Sequence, residues 1–269
     1  MFCFLLLTTS LFSTSLSELL DHEFFKCSFN GNGKSSGEVI KAQLENTGMK
    51  KIDVEIPPGY VFENSDAQDI LITQPHILAL APNEKKTILI RGFCTEPFES
   101  VPSQNHIFTL AKGSQNEQQL ANYIQGKKFS QDLLQEAVWS LSEEFPLYGI
   151  YEEEDQNSYV LLQAVSSILG EEVPDYYVEF DQSENQPFED RVSSVHITFE
   201  YELEERMILD FIVYDPNGEV VFTIFEDRIS SPAKYSQNLD LTLTNYPRGI
   251  YTVAVVSNNK SLYQKEIMI

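Results

Sequence analysis

Short runs of alternating apolar and polar residues, each ended by a turn signal, recur along this chain and restrict it to strand-rich folds. In one example Ile52, Val54 and Ile56 alternate with acidic residues before the turn sequence Pro57-Pro58-Gly59. Alternation with a period of two places the apolar side chains on one face, so each run predicts a half-buried strand. Such runs between residues 24 and 112, and again beyond about residue 190, predict antiparallel β-sandwiches.

The hydrophobic period changes between these two regions and predicts three helices, at about residues 117–125, 131–143 and 159–169. Ser130 is expected to cap the second helix, Pro146 to end it, and Gly170 to end the third. The predicted fold class is therefore mainly β, with two antiparallel β-sandwich (Ig-like) domains and a three-helix segment between them. We expect the domains at residues 18–175 and 190–269, joined by a linker at 182–187.

The charge balance is strongly acidic. The 269 residues include 18 basic and 41 acidic side chains, which give a net charge of −23. Such a surface repels phosphate backbones, so we expect no nucleic-acid partner. Hydrophobic residues make up 42% of the chain, enough to bury a core, so the acidity does not indicate disorder.

Residues 1–17 look like a secretory signal peptide. The apolar run at residues 2–7 is too short to span a membrane, and the small residues Ser15 and Ser17 would suit cleavage before Glu18. However, no basic residue precedes Lys26, so a buried N-terminal segment of the fold is the alternative. No other stretch reaches 18 apolar residues, and we expect no transmembrane segment in the mature chain.

Cysteine and histidine are sparse. Without residues 1–17 the chain keeps Cys27 and Cys94, which could form a disulfide in an oxidising compartment or remain buried thiols. No cluster of histidine and cysteine has the spacing of metal ligands, so we expect neither a metal nor a cofactor. The histidines are scattered, at His22, His76, His106 and His196.

The last 75 or so residues, from about 192 to 269, resemble the type A C-terminal sorting domain of Bacteroidetes type IX secretion cargo. Residues 212–221 match that family's strand, Asn-Gly turn and strand, and residues 246–251 are similar to its Leu-Pro-x-Gly-hydrophobic-Tyr motif. The resemblance implies export by the type IX secretion machinery and a secreted or outer-surface location. The alternative is an ordinary Ig-like domain without a sorting role. The residues that the resemblance assigns to the sorting motif are Tyr246, Pro247, Gly249 and Tyr251.

The first half resembles uncharacterised secreted bacterial proteins and, weakly, the thioester domains of Gram-positive surface adhesins. The shared features are a strand ending at Cys94 and a helix carrying Gln135, Ala137 and Trp139 in a Gln-x-Ala-hydrophobic-Trp pattern. The adhesin resemblance implies an internal thioester between Cys94 and Gln135. Spacing of four residues places Gln135 and Trp139 on one helix face, where the indole could shield the bond. The alternative is that Gln135 flanks the apolar face of a core helix, that Trp139 anchors this helix in the core, and that Cys94 is the disulfide partner of Cys27.

Together these observations predict a non-catalytic secreted or surface protein with an unknown extracellular ligand, and no enzyme activity. Alternating acidic residues such as Glu200, Glu202 and Glu204 lie on one face of a strand and are interpreted as solvent-facing. The second hypothesis is a covalent adhesin that uses the Cys94–Gln135 thioester. A third, glycan hydrolysis by paired carboxylates, receives no support from spacing.

Overall fold

Strands are the main regular element of the computed structural model, at 48% against 15% for helices, which confirms the predicted mainly β fold. The structure describes residues 13–97, 99–142, 145–151, 157–181 and 191–269. The chain divides into two units, Met1–Glu172 and Val173–Ile269. The predicted linker at 182–187 lies outside the described residues.

The described part of the first unit contains a six-stranded sheet, a three-stranded sheet and four α-helices. The sheet orders are β2-β3-β8-β6-β5-β9 and β1-β4-β7. The strands are Thr14–Ser15 (β1), Phe25–Gly31 (β2), Ser36–Asn46 (β3), Ile52–Ile56 (β4), Tyr60–Glu63 (β5), Ile70–Leu71 (β6), His76–Leu80 (β7), Lys85–Cys94 (β8) and Thr109–Lys112 (β9). The helices are Leu16–Leu19 (α1), Gln115–Tyr123 (α2), Gln131–Trp139 (α3) and Ser158–Leu169 (α4).

The core of the first unit follows from the alternation in its strands. Val54 and Ile56 of β4 and Ile40 and Leu44 of β3 are fully buried in one cluster. Burial of each such side chain contributes about 1.5–3 kcal/mol. Asn46 is also fully buried, and its Nδ2 donates hydrogen bonds to the carbonyls that follow β7, including that of Ala81 at 2.9 Å.

Local capping sets the helix boundaries. Ser130 caps α3 by accepting the Leu133 amide, as predicted, and Gly170 ends α4 with φ of 74°. The predicted end of the second helix was wrong, because α3 stops at Trp139, well before Pro146. Helix α2 begins earlier than predicted, since Ser114 and Glu117 form a reciprocal capping box there.

The N-terminal segment belongs to this fold from residue 13 onward. Thr14 and Ser15 pair in parallel with β4, opposite Val54 and Glu55. Leu16 is fully buried in the core cluster that β4 helps to form. Cleavage before Glu18 would therefore remove a core side chain, whereas the apolar residues 1–12 lie outside the described residues.

The second unit contains, among its described residues, a three-stranded and a four-stranded antiparallel sheet. Their orders are β10-β11-β14 and β13-β12-β15-β16. Aromatic side chains pack in its interior, with the rings of Phe199 and Phe211 centred 5.1 Å apart. The strands are Tyr176–Phe180 (β10), Val192–Leu203 (β11), Met207–Tyr214 (β12), Val220–Ser230 (β13), Ala233–Thr242 (β14), Ile250–Ser257 (β15) and Lys260–Met268 (β16).

Within the described residues, every helix is too short or too polar to cross a lipid bilayer.

The buried position of Leu16 generates a stability prediction. Leu16→Ala should lower the free energy of unfolding of the first unit by about 2–5 kcal/mol, because it removes a fully buried side chain. Leu20→Ala is the matched control, since Leu20 is 40% exposed, and it should change that free energy by less than about 0.5 kcal/mol. Urea unfolding followed by fluorescence of Trp139, the single tryptophan, reports on this unit. Equal effects of both substitutions would contradict the buried placement.

Candidate functional site

The corner that precedes β15 brings Pro247 and Tyr251 of the sorting-like motif into contact. Tyr251 is fully buried, and its hydroxyl donates a 2.6 Å hydrogen bond to the carbonyl of Pro247. Burial raises the pKa of the Tyr251 phenol, which therefore stays protonated and keeps donating. Tyr246 is more exposed and packs against Phe222, with ring centroids 5.1 Å apart.

Gly249 has a backbone conformation in which any other residue would be strained. Its φ is +146°, and a Cβ atom there would lie 2.5 Å from the Pro216 ring. Its amide donates to the carbonyl of Ile269, and the Ile269 amide donates back, at 2.9 and 3.0 Å. The corner thus joins the turn after β12 to the last residue of the chain.

The turn beside this corner is held by Asp215. Its Oδ1 accepts hydrogen bonds from the amides of Asn217 and Glu219, both at 2.8 Å, and Gly218 follows with φ of +82°. These backbone hydrogen bonds lower the pKa of Asp215. The Asp-Pro-Asn-Gly sequence therefore forms a preorganised hairpin turn, onto which Gly249 packs.

The two cysteines lie far apart in the first unit. Cys27 of β2 is opposite Leu44 of β3, which is opposite Lys86 of β8. Cys94 lies eight residues beyond Lys86 on the same strand, which is about 26 Å at the rise of an extended strand. A disulfide needs Cα atoms within about 7 Å. Both residues are free thiols, so the structure does not bring this predicted pair together.

The structure does bring Cys94 and Gln135 together. The Nε2 of Gln135 donates a 2.7 Å hydrogen bond to the backbone carbonyl of Cys94. Cys94 is fully buried and Gln135 is 6% exposed. The Oε1 of Gln135 is buried without a hydrogen-bond partner. Burial raises the pKa of the Cys94 thiol well above its ordinary value, with smaller contributions from Glu96 and Asp69.

Trp139 lies one helical turn after Gln135 and is buried. Its ring packs against Phe145 with centroids 5.7 Å apart. Helix α3 is thus anchored on the end of β8 by a polar contact at Gln135 and by apolar contacts of its buried face.

Beside this anchor lies a cavity of about 270 Å³ that is lined by four carboxylates. Glu63 ends β5, Asp69 precedes β6, Glu96 follows β8, and Glu117 lies in the first turn of α2. Lys112 is the basic residue among those that line the cavity. We refer to this space as the acidic cavity. Its remaining walls include Val61, Thr95, Gly113, Ser114, Val138, Leu141 and Ser142.

The carboxylates in the acidic cavity are fixed by backbone donors. The Asn64 amide donates to Asp69 Oδ1 at 2.8 Å, and the Asp69 amide donates to Glu96 Oε2 at 2.7 Å. Glu117 Oε2 accepts the Ser114 amide at 2.6 Å as part of the capping box. Each carboxylate that makes such a bond is held in place by the local fold.

Asp69 responds most strongly to these surroundings. Its pKa is raised to about 6, mainly by partial burial and to a smaller extent by the negative charges of Glu96, Glu63 and Glu117, against the lowering effect of the Asn64 hydrogen bond. Asp69 therefore takes up a proton near pH 6, where an ordinary aspartate is ionised.

Sequence reasoning did not find the acidic cavity. Its four carboxylates come from four different elements and are separated by 6 to 54 positions, so no spacing rule connects them. A weak signal existed at one position, because Ser114 and Glu117 form an S-x-x-E pattern before an apolar run. That pattern predicts a helix start, and it carries no information about a cavity.

Comparison with known proteins identifies one part of the chain. The family model described as secretion system C-terminal sorting domain matches residues 191–269. The predicted type IX sorting domain is confirmed. A search of curated proteins finds no match to the chain. The sorting domain comprises strands β11 to β16, and it contains the corner at Gly249 and Tyr251 and the turn at Asp215.

One hydrogen-bonded chain at the sorting domain has the connectivity of a catalytic triad. His196 Nε2 lies 3.2 Å from Ser194 Oγ, and His196 Nδ1 lies 2.8 Å from Asp240 Oδ1. However, the Ser194 hydroxyl donates to Glu179, so its proton points away from the imidazole. Glu179 and Ser194 face each other across β10 and β11, and His196 and Asp240 across β11 and β14. We interpret the chain as cross-strand pairs that stabilise this sheet.

Proposed function

We propose that this chain is a non-catalytic surface protein whose first unit binds an extracellular ligand. The observation that supports the proposal is the sorting domain at residues 191–269, which indicates interaction with the type IX machinery and a location outside the cell. Because export is the role of the second unit, the first unit, Met1–Glu172, is the part left to act on the surroundings.

The carboxylates of the first unit favour binding over hydrolysis in this proposal. Paired-carboxylate hydrolysis needs one protonated acid and one free carboxylate that face a shared substrate. Glu117 is engaged as a helix cap and Glu96 accepts the Asp69 amide, so both have structural partners. A cavity with fixed charges and apolar walls suits recognition of a ligand by charge and shape.

Surface display of the first unit tests this proposal. In cells that produce the chain with an epitope in the first unit, Gly249→Ala should lower labelling of intact cells several-fold, because the new Cβ would clash with Pro216. Gly218→Ala is the matched control: it shares a positive φ, but a Cβ there would have no neighbour within 4 Å. Deletion of residues 191–269 should abolish the labelling. Full labelling after that deletion, relative to total protein in the lysate, would overturn the proposal.

A second candidate function is covalent attachment through a thioester, and the contact between Gln135 and Cys94 favours it. Formation would join Cys94 Sγ to Gln135 Cδ while the side-chain nitrogen leaves as ammonia with the thiol proton. A primary amine would then attack Cδ, form an amide with Gln135, and return a proton to the Cys94 sulfur. Trp139 lies one turn away on the same helix, where it would help to exclude water.

Intact mass measurement decides between the two candidates. A thioester makes the purified full chain about 17 Da lighter than its sequence mass, because ammonia is lost. The non-covalent proposal expects free thiols and the full sequence mass. If the thioester forms, Cys94→Ser should abolish the mass deficit of about 17 Da. Cys27→Ser is the control and should leave that deficit unchanged. The full sequence mass in freshly purified protein would eliminate the covalent candidate.

A further inference from the structure

The carboxylates of the acidic cavity outnumber the basic residue in its lining by four to one. Within the described part of the chain, no salt bridge connects Glu63, Asp69, Glu96 or Glu117 to a basic side chain. Lys112 lines the same space but lies more than 4 Å from any of these carboxylate oxygens. Like charges gathered in a partly buried space repel each other unless a cation joins them.

A second feature of the cavity wall points to a missing polar partner. Thr95 is 9% exposed, and its Oγ1 is buried without a hydrogen-bond partner. A buried hydroxyl without a partner is unfavourable, because it has lost its hydrogen bonds to water. Thr95 lies between Cys94 and Glu96, and its amide donates to the Asp69 carbonyl at 3.0 Å. The Thr95 hydroxyl in the wall of the acidic cavity therefore lacks a hydrogen-bond partner.

The size and walls of the cavity indicate what kind of cation fits. Its 270 Å³ exceed what a bare ion occupies, and among the described residues no three acidic or histidine side chains converge closely enough to hold a metal. Val61, Val138 and Leu141 add apolar surface to the lining of the cavity. An alkyl chain that ends in an ammonium group matches both surfaces, since its stem is apolar and its head carries three donors.

We propose that the acidic cavity binds a primary alkylammonium group, of the kind carried by a lysine side chain or a polyamine. Glu63 and Asp69 receive the charged head, and Val61, Val138 and Leu141 cover the stem. This proposal names the chemical class of the ligand that the first unit binds. It rests on the proposed function, because that function is what assigns a binding role to the first unit.

Binding should depend on pH through Asp69. The groups that face its carboxyl are Glu63, Glu96 and Glu117, with the Asn64 amide as hydrogen-bond donor. Since Asp69 has a pKa of about 6, its carboxylate is ionised above that pH and becomes neutral below it. An ammonium ligand prefers the ionised form, so its affinity is highest above pH 7 and is lost progressively as the pH falls through 6.

Titration of the purified full chain with n-pentylammonium tests the proposal, with calorimetry or protein NMR as the readout. Glu63→Gln should weaken binding about three- to tenfold, because one charge-assisted contact is lost while no hydrogen bond of the fold is affected. Glu38→Gln, on the exposed face of β3, is the control and should bind like the natural chain. Asp69→Asn should remove the pH dependence between pH 5 and 7.5, and it provides a second test if Glu63→Gln fails to fold.

Three results would overturn the proposal. They are equal binding of n-pentanol, which lacks the charge, equal affinities of the Glu63→Gln and Glu38→Gln chains, and absence of binding at pH 7.5. Nα-acetyl-lysine amide and putrescine then distinguish the two sources, and tighter binding of either one identifies it. Because these measurements use purified protein, their failure is distinct from a failure of surface display.

Discussion

The hydrogen bond from Gln135 to the backbone carbonyl of Cys94 is the interaction on which the candidate site depends. It fixes helix α3 against the end of strand β8, and the same helix continues to Val138. Both partners are buried, so loss of the Gln135 amide would leave the Cys94 carbonyl unpaired, at a cost of about 1–3 kcal/mol. This placement makes α3 a wall of the acidic cavity and also brings the Gln135 side chain beside Cys94, as a thioester between the two would require. The covalent and the non-covalent accounts therefore require the same anchor.

The acidic side chains of this chain have different surroundings in different places. On strands such as β11 the acidic side chains alternate with buried ones and face outward, where water solvates them. In the acidic cavity four carboxylates and one lysine share a partly dehydrated space, and burial together with the neighbouring negative charges raises the pKa of Asp69. A uniformly acidic surface keeps a protein soluble, whereas a concentrated and desolvated group of carboxylates selects a cation.

Much of the fold could be predicted because its determinants are local. Alternation identified strands such as Ile52–Ile56, and the Asp-Pro-Asn-Gly sequence at residue 215 identified a turn. The sorting motif was recognisable because Gly249 and Tyr251 are constrained by contacts with nearby turns and chain ends. Features that depend on distant pairing could not be predicted in this way. The separation of Cys27 from Cys94 follows from the register of the sheet. The burial of Leu16 follows from the parallel pairing of the preceding residues with β4. The acidic cavity is lined by residues from four parts of the chain that meet only in the folded unit.

The ionisation of Asp69 is the measurement that tests the account of the first unit most directly. Carbon-13 NMR of the Asp69 carboxyl group in the full chain, assigned by comparison with Asp69→Asn, gives its titration midpoint. The account predicts a midpoint of about 6 without ligand, and a lower midpoint when an alkylammonium ion is present, because the cation stabilises the ionised form. A midpoint near 4, the ordinary value of an aspartate, would show that Asp69 is not partly buried among the other carboxylates and would contradict the central claim.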